Sequence, residues 1–167
     1  LMILGSAICY GLLPIFARFA YADGAEVTSL LFVRFALAFL FMAAFLGLRG
    51  ALRLPPRRTL LILLALGALG YFVQSICYFS ALVYLPISVV VLLLYPYPAF
   101  VTGLSMGLGY EGISTRVILS LLMALTGLVL VANPALSLSS LGVLLALGAS
   151  VTYTFYILVS SRSLKRV

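Results

Sequence analysis

Five side chains offer the means to hold a small polar molecule inside an otherwise apolar chain: Tyr10, Gln74, Tyr78, Tyr95 and Tyr153. A tyrosine presents an aromatic face with a phenol that both donates and accepts, and a glutamine amide does the same without the ring. Arg34 adds a fixed positive charge, and Pro14, Pro96 and Pro98 each remove a backbone donor, which makes these four the candidates for gating or charge. The densest arrangement is Leu92–Phe100, LLLYPYPAF, within the uncharged run Ile87–Leu108. Pro96 and Pro98 leave the carbonyls of Leu92 and Leu94 without their usual helical partners. In lipid those carbonyls need another donor, from a neighbouring helix or a watery cavity. Tyr95 and Tyr97 bring phenols to the same depth. The segment reads as the kinked wall of a polar pocket, or as a packing kink with ordinary buried tyrosines.

The class of protein follows from composition. The chain has 167 residues, 65% hydrophobic and only 8% charged, with a mean hydropathy of +1.32. Soluble domains carry about 25% charged residues. The expected class is therefore an all-α membrane protein. The net charge of +7 is distributed over loops between apolar runs, as in membrane topology signals, and no nucleic-acid partner is expected. Cys9 and Cys77 lie inside apolar runs and behave as small hydrophobes. The chain has no histidine, so no His-based metal or acid–base site is available and no cofactor is expected. No basic n-region precedes the first run, so no signal peptide is expected.

Six spans position the candidate residues. The first covers Met2–Tyr21, with Ser6, Tyr10 and Pro14 on one face and Arg18 a turn from its end. An acidic loop with Asp23 and Glu26 follows. The second covers Val27–Leu48 and carries Arg34 about two turns in. A charge at the centre of a span costs roughly 2.5–3.5 kcal/mol, so Arg34 reads either as an interfacial partner of Asp23 or Glu26, or as a gate or substrate anchor. The loop RGALRLPPRR leads to the third span, Leu60–Tyr84, where Gly67, Tyr71, Gln74, Ser75 and Tyr78 share a face. That stripe reads equally as interhelical glue or as pocket lining. Leu85-Pro86 turns the chain into the fourth span, on which Ser88, Leu92, Tyr95, Ala99 and Thr102 line one face. It ends near Gly109, before Glu111 and Arg116. The fifth, Ser114–Ala132, has a small-residue stripe and stops at Asn133-Pro134. The sixth covers Leu141–Ser161, followed by Arg162, Lys165 and Arg166.

Loop charges orient the bundle. Lys and Arg number four, one and three after the second, fourth and sixth spans, and none after the odd ones once Arg18 is assigned to the membrane. Both ends are therefore expected to be cytoplasmic. There is also a repeat: LGSAICY at Leu4–Tyr10 is similar to LGASVTY at Leu147–Tyr153. Five spans separate the copies, and an odd number inverts the second copy in the membrane. Inverted repeats are a recurrent transporter architecture, with solute sites where the repeats meet.

Taken together, these features resemble the EamA type of drug/metabolite transporter over essentially the whole chain. The resemblance rests on Arg34-Phe35 early in the second span, the aromatic end of the third and the LLLYPYPAF segment. It also includes Gly109 and Glu111 after the fourth span, and Gly127 before Leu128-Val129-Leu130 in the fifth. It implies ten helices in two inverted five-helix halves. Residues 1–134 would be the first repeat and 135–167 the first helix of an incomplete second one. The missing half, or a dimer partner, would complete the protein. Two positions depart from the family pattern: Tyr10 stands where tryptophan is frequent, and Gly112 where a basic residue is.

Three functions are compatible with these features: a secondary transporter or exporter of small organic solutes, a non-transporting membrane subunit or sensor, and an intramembrane enzyme. The third lacks its usual acid–base groups, because Asp23, Glu26 and Glu111 are the only acids and none is mid-span. The expectation is a non-enzymatic transporter in the plasma membrane, a bacterial inner membrane, with lipid and a small solute as partners. The solute is expected to be amino-acid-like, neutral or anionic, because the spans hold Arg34 and no carboxylate.

Overall fold

A computed structural model of the chain describes residues 2–50, 56–107 and 139–164, together with 115, 118, 119, 122, 123 and 126. The expected fifth span, with Gly127, Asn133-Pro134 and the Gly109–Glu111 motif, lies outside these residues apart from isolated positions. Every regular element among the described residues is helical: α1 Met2–Ala22, α2 Val27–Leu48, α3 Arg57–Ala65, a π-helical segment Leu66–Tyr71, α4 Phe72–Tyr84, α5 Ile87–Leu94, α6 Tyr97–Gly107 and α7 Ser140–Leu164. Four stretches are long and apolar enough to cross a membrane: Val27–Leu48, Arg57–Tyr84, Ile87–Ser105 and Ser140–Ser161. Ile8–Ala22 is a shorter apolar helix. On α2, Phe32, Phe39 and Phe41 are exposed by 74, 71 and 72%. Apolar surface left in water forfeits about 25 cal/mol per Å², a cost that lipid removes. The chain is a multi-pass membrane protein.

The chain divides into two compact units, Leu1–Ala65 and Leu66–Val167. In the first, α1 and α2 are joined by a short reversal. The amide of Ala25 donates to the Ala20 carbonyl at 2.9 Å and that of Gly24 to Tyr21 at 3.1 Å. This is a Schellman end, and it needs the positive φ of 86° that Gly24 adopts. The far end of α2 closes similarly: Gly50 has φ 62° and its amide reaches the Gly47 carbonyl at 3.1 Å. Pro14, Ala17 and Leu31 are buried.

The second unit is assembled around α7. Gly142, Ala146, Ala149, Ser150, Thr154 and Leu158 are buried and recur at helical spacing along one face. Most are small, so the α7 backbone approaches its neighbours closely. It packs against the π-helical segment, α4, α5 and α6, whose buried residues include Gln74, Ser75, Phe79, Ala81, Leu82, Leu85, Val89 and Val90. The turn between α4 and α5 is set by Pro86. Leu85 before it is extended at φ −130° and ψ 153°, as a pre-proline residue prefers. The Pro86 carbonyl then accepts from Val89 and Val90, both at 3.1 Å, to start α5.

Two expected spans are interrupted in the structure. The third is not a regular helix throughout, because Leu66–Tyr71 widens into π geometry. The fourth is two helices, α5 and α6, separated at Tyr95-Pro96. The sixth begins at Ser140 and runs to Leu164.

Gly142 marks the tightest seam. A Cβ there would lie 2.6 Å from Leu85 Cγ and 2.9 Å from Tyr84 Cβ, whereas one on Gly148 would meet nothing within 4 Å. Gly142→Ala is expected to destabilise the protein by about 1–3 kcal/mol and Gly148→Ala by far less. Thermal unfolding of the two variants in detergent measures the difference.

Candidate functional site

The break between α5 and α6 follows from its two prolines. Tyr95 makes the last amide bond of α5, to the Val91 carbonyl at 3.0 Å. Pro96 occupies the turn, and Pro98 is the second residue of α6, where a missing amide is tolerated. Phe100 donates to the Pro96 carbonyl at 3.1 Å and starts the α6 ladder. The Leu94 carbonyl, whose partner Pro98 has no N–H, accepts instead from the Ser150 hydroxyl of α7 at 3.0 Å. Ser150 is fully buried. The backbone gap is thus filled by a neighbouring helix. Because α5 stops there, the expected continuous face from Ser88 to Thr102 does not exist. Thr102 turns back and donates to the Pro98 carbonyl at 2.8 Å.

A row of tyrosines lies beside this break. Tyr97 meets Tyr153 edge-on with ring centroids 4.7 Å apart. Tyr153 stacks with Tyr156 at 6.0 Å, and Tyr156 meets Tyr71 at 5.8 Å. The row joins the start of α6, α7 and the end of the π-helical segment. Gly70 makes the last contact possible, because a Cβ there would lie 2.8 Å from Tyr156 Cδ2. Single π-helical turns recur at functional sites because they redirect side chains locally. Four phenols and four aromatic faces in an apolar setting can hold a solute by stacking and neutral hydrogen bonds.

The predicted residues are distributed as follows. Tyr153 lies inside the tyrosine row, and Tyr95 stands at the break with 48% of its surface exposed. Gln74 is buried on α4, where the Ser75 hydroxyl donates to its Oε1 across a long 3.5 Å. Tyr78 is half-buried and packs edge-on against Phe79 at 5.4 Å. These four belong to the second unit. Tyr10, 55% exposed, belongs to the first unit, as do Arg34 and Pro14. Pro14 is buried within α1. Arg34 is half-buried, about 10 Å below the start of α2 at 1.5 Å per residue, with its guanidinium carbon 5.7 Å from the Phe35 ring centre.

Ser150 and Tyr156 were not among the predicted site residues. A signal existed: Ser150, Tyr153 and Tyr156 recur every third residue, on one helical face. Tyr71 and Tyr97 stood within recognised stretches, but only the fold pairs them with α7.

With the geometry established, comparison with known proteins gives one match. The family model of the EamA-like transporter family matches residues 1–133. No curated protein and no solved structure matches the chain.

The Ser150 bond yields a coupled prediction. Ser150→Ala should cost about 0.6–2 kcal/mol by stranding the Leu94 carbonyl. Pro98→Ala restores an amide able to serve that carbonyl, so the same serine change should cost less in that background, by at least about 0.5 kcal/mol. A double-mutant cycle on unfolding in mixed micelles reads the coupling; strictly additive effects would contradict it.

Proposed function

We propose that this chain, which belongs to the EamA-like transporter family, moves small organic metabolites across the cytoplasmic membrane by alternating access, as a secondary transporter or exporter. The family is one of membrane transporters; the substrate and mechanism are our reading. The observation that carries it is the helix break at Tyr95-Pro96, with the Leu94 carbonyl held by Ser150 and the row Tyr71, Tyr156, Tyr153 and Tyr97 beside it. Broken helices near the bilayer midplane are where transporters of several folds bind solute. Tyr10, Gln74, Tyr78, Tyr95 and Tyr153 would line the path. Pro14, Pro96 and Pro98 would let its helices flex, and Arg34 would supply charge.

The solute class follows from electrostatics. A binding site for a lipophilic cation generally employs an intramembrane carboxylate. The acids among the described residues, Asp23 and Glu26, sit in the loop between α1 and α2 rather than in a helix core. Tyrosines, an amide and an arginine suit a neutral or anionic, amino-acid-like solute instead. In this reading residues 1–134 form the first repeat and 135–167 open an inverted second one. The second half, or a dimer partner, completes a ten-helix unit.

The test is solute flux in vesicles containing the reconstituted protein. Counterflow of amino acids or organic acids is expected, and Arg34→Gln should lower the flux of anionic solutes about tenfold, the loss of roughly one charged hydrogen bond. Efflux of quaternary ammonium dyes with no response to amino or organic acids would refute the solute class. No flux of any solute would favour a non-transporting subunit.

The orientation has its own measurement. In a background lacking Cys9 and Cys77, Ser137→Cys should react with an impermeant thiol reagent outside intact cells and Arg53→Cys should not. The reverse labelling would overturn cytoplasmic ends.

A further inference from the structure

One member of the tyrosine row is held against bare backbone. Tyr156 lies between Tyr71, at 5.8 Å with 51° between ring planes, and Tyr153, at 6.0 Å with 12°. One edge of its ring rests on Gly70. A Cβ built on that glycine would stand 2.8 Å from Cδ2, 3.2 Å from Cβ and 3.4 Å from Cγ of Tyr156. Two consecutive residues of the π-helical segment, Gly70 and Tyr71, therefore flank one ring of α7. The other glycine of that segment, Gly67, would meet nothing within 4 Å, and Leu69 is 73% exposed. The absence of a side chain is thus a fitted contact at position 70 and not at position 67.

A side chain at 70 has to move the ring. Non-bonded carbons rest about 3.5–4.0 Å apart, so a methyl there overlaps Cδ2 and crowds Cβ. The Cβ atom is fixed to the α7 backbone. That backbone is itself packed against α4, α5 and α6 through buried Ala146, Ala149, Ser150 and Thr154. Turning the ring about its side-chain torsions is the cheaper response. Tyr71 blocks one direction and Tyr153 another. The remaining direction is the one in which the phenol points. Tyr156 is half-buried, and its hydroxyl has no hydrogen-bond partner among the described residues. No buried side-chain oxygen among them lacks a partner, so this hydroxyl borders open space. A ring displaced from Gly70 swings into that space.

We propose, resting on the reading of the tyrosine row as a solute site, that Gly70 sets the size of the solute this site accepts. Glycine at 70 lets the Tyr156 ring lie back against the π-helical segment, and the space beside Tyr156 and Tyr153 is left to the solute. With a larger residue at 70 the ring fills part of that space. Solutes with a bulkier apolar body lose most, because a pocket one methylene too small discriminates by about tenfold or more. Tyr156 is the wall that position 70 adjusts.

The experiment is counterflow in vesicles containing the whole protein, with flux normalised to protein and two graded series as probes, alanine to leucine and succinate to adipate. The quantity read is the flux of the largest member that wild type moves, relative to the smallest. Gly70→Ala is expected to lower this ratio about tenfold. Gly67→Ala, the same change in the same segment, should leave it unchanged. In the Gly70→Ala background, Tyr156→Ala removes the displaced ring and should return the ratio to the wild-type value or above. A variant that merely folds less well lowers all fluxes together and leaves the ratio where it was. An unchanged ratio in Gly70→Ala, or no recovery in the double variant, overturns the proposal while leaving transport intact. No flux of any probe in wild type overturns the solute-site reading itself, and this inference with it.

Discussion

A carbonyl inside a bilayer has no water to turn to, and the Leu94 carbonyl is bound by the Ser150 hydroxyl at 3.0 Å. An unmet backbone group in hydrocarbon costs several kcal/mol, so the two prolines of the fourth span are tolerable only with a donor alongside. That requirement fixes the register of α7 against the break. Once Ser150 is in place, residues a turn or two along the same face fall into position, and Tyr153 and Tyr156 meet Tyr97 and Tyr71. The small residues Gly142, Ala146 and Ala149 permit the required approach. The polar feature and the packing of the second unit are therefore one arrangement, held by a neutral hydrogen bond.

Much of the fold was legible in the sequence. Long apolar runs locate the described membrane helices within about three residues, because hydrocarbon thickness dictates their length; α2 coincides with the expected Val27–Leu48, whereas the third span starts at Arg57 rather than Leu60 and the sixth ends at Leu164 rather than Ser161. The Leu85-Pro86 turn was equally plain, since proline constrains both itself and its predecessor. The demand of Leu94 for an outside donor could be foreseen from Pro98 alone, whereas the identity of the donor could not. Ser150 lies 56 residues away in the chain, and its spacing with Tyr153 and Tyr156 does not say which carbonyl it meets. The π-helical segment was hidden for a different reason. Its residues, LGALGY, suit an ordinary membrane helix, and the widening accompanies the ring of Tyr156 resting against Gly70.

The candidate site was less legible than the fold. Periodicity can assign a tyrosine to a face, but a face becomes a site only through what packs opposite. Tyr153 was identifiable from its place in the LGASVTY repeat and is in contact with other tyrosines. Tyr156 has the same chemistry one turn later and had no repeat to draw attention to it. Gln74 illustrates the converse. A buried amide in an apolar span is conspicuous in sequence, and in the structure it accepts from the hydroxyl of its chain neighbour Ser75. Arg34 was conspicuous as well, and it is half-buried below the start of α2 with its guanidinium carbon 5.7 Å from the Phe35 ring centre.

The reversal at Gly24 bears on how the protein enters the membrane during synthesis. Only Asp23, Gly24, Ala25 and Glu26 link α1 to α2. Four extended residues reach about 14 Å, less than half of a hydrocarbon core of about 30 Å. When α2 has crossed, α1 cannot remain on the far side of the bilayer. α1 carries Pro14 and Arg18 and is the less apolar of the two on average, whereas α2 is more apolar in spite of Arg34. The Schellman turn folds the chain back on itself, so a tether of four residues holds the end of α1 to the membrane face at which α2 begins.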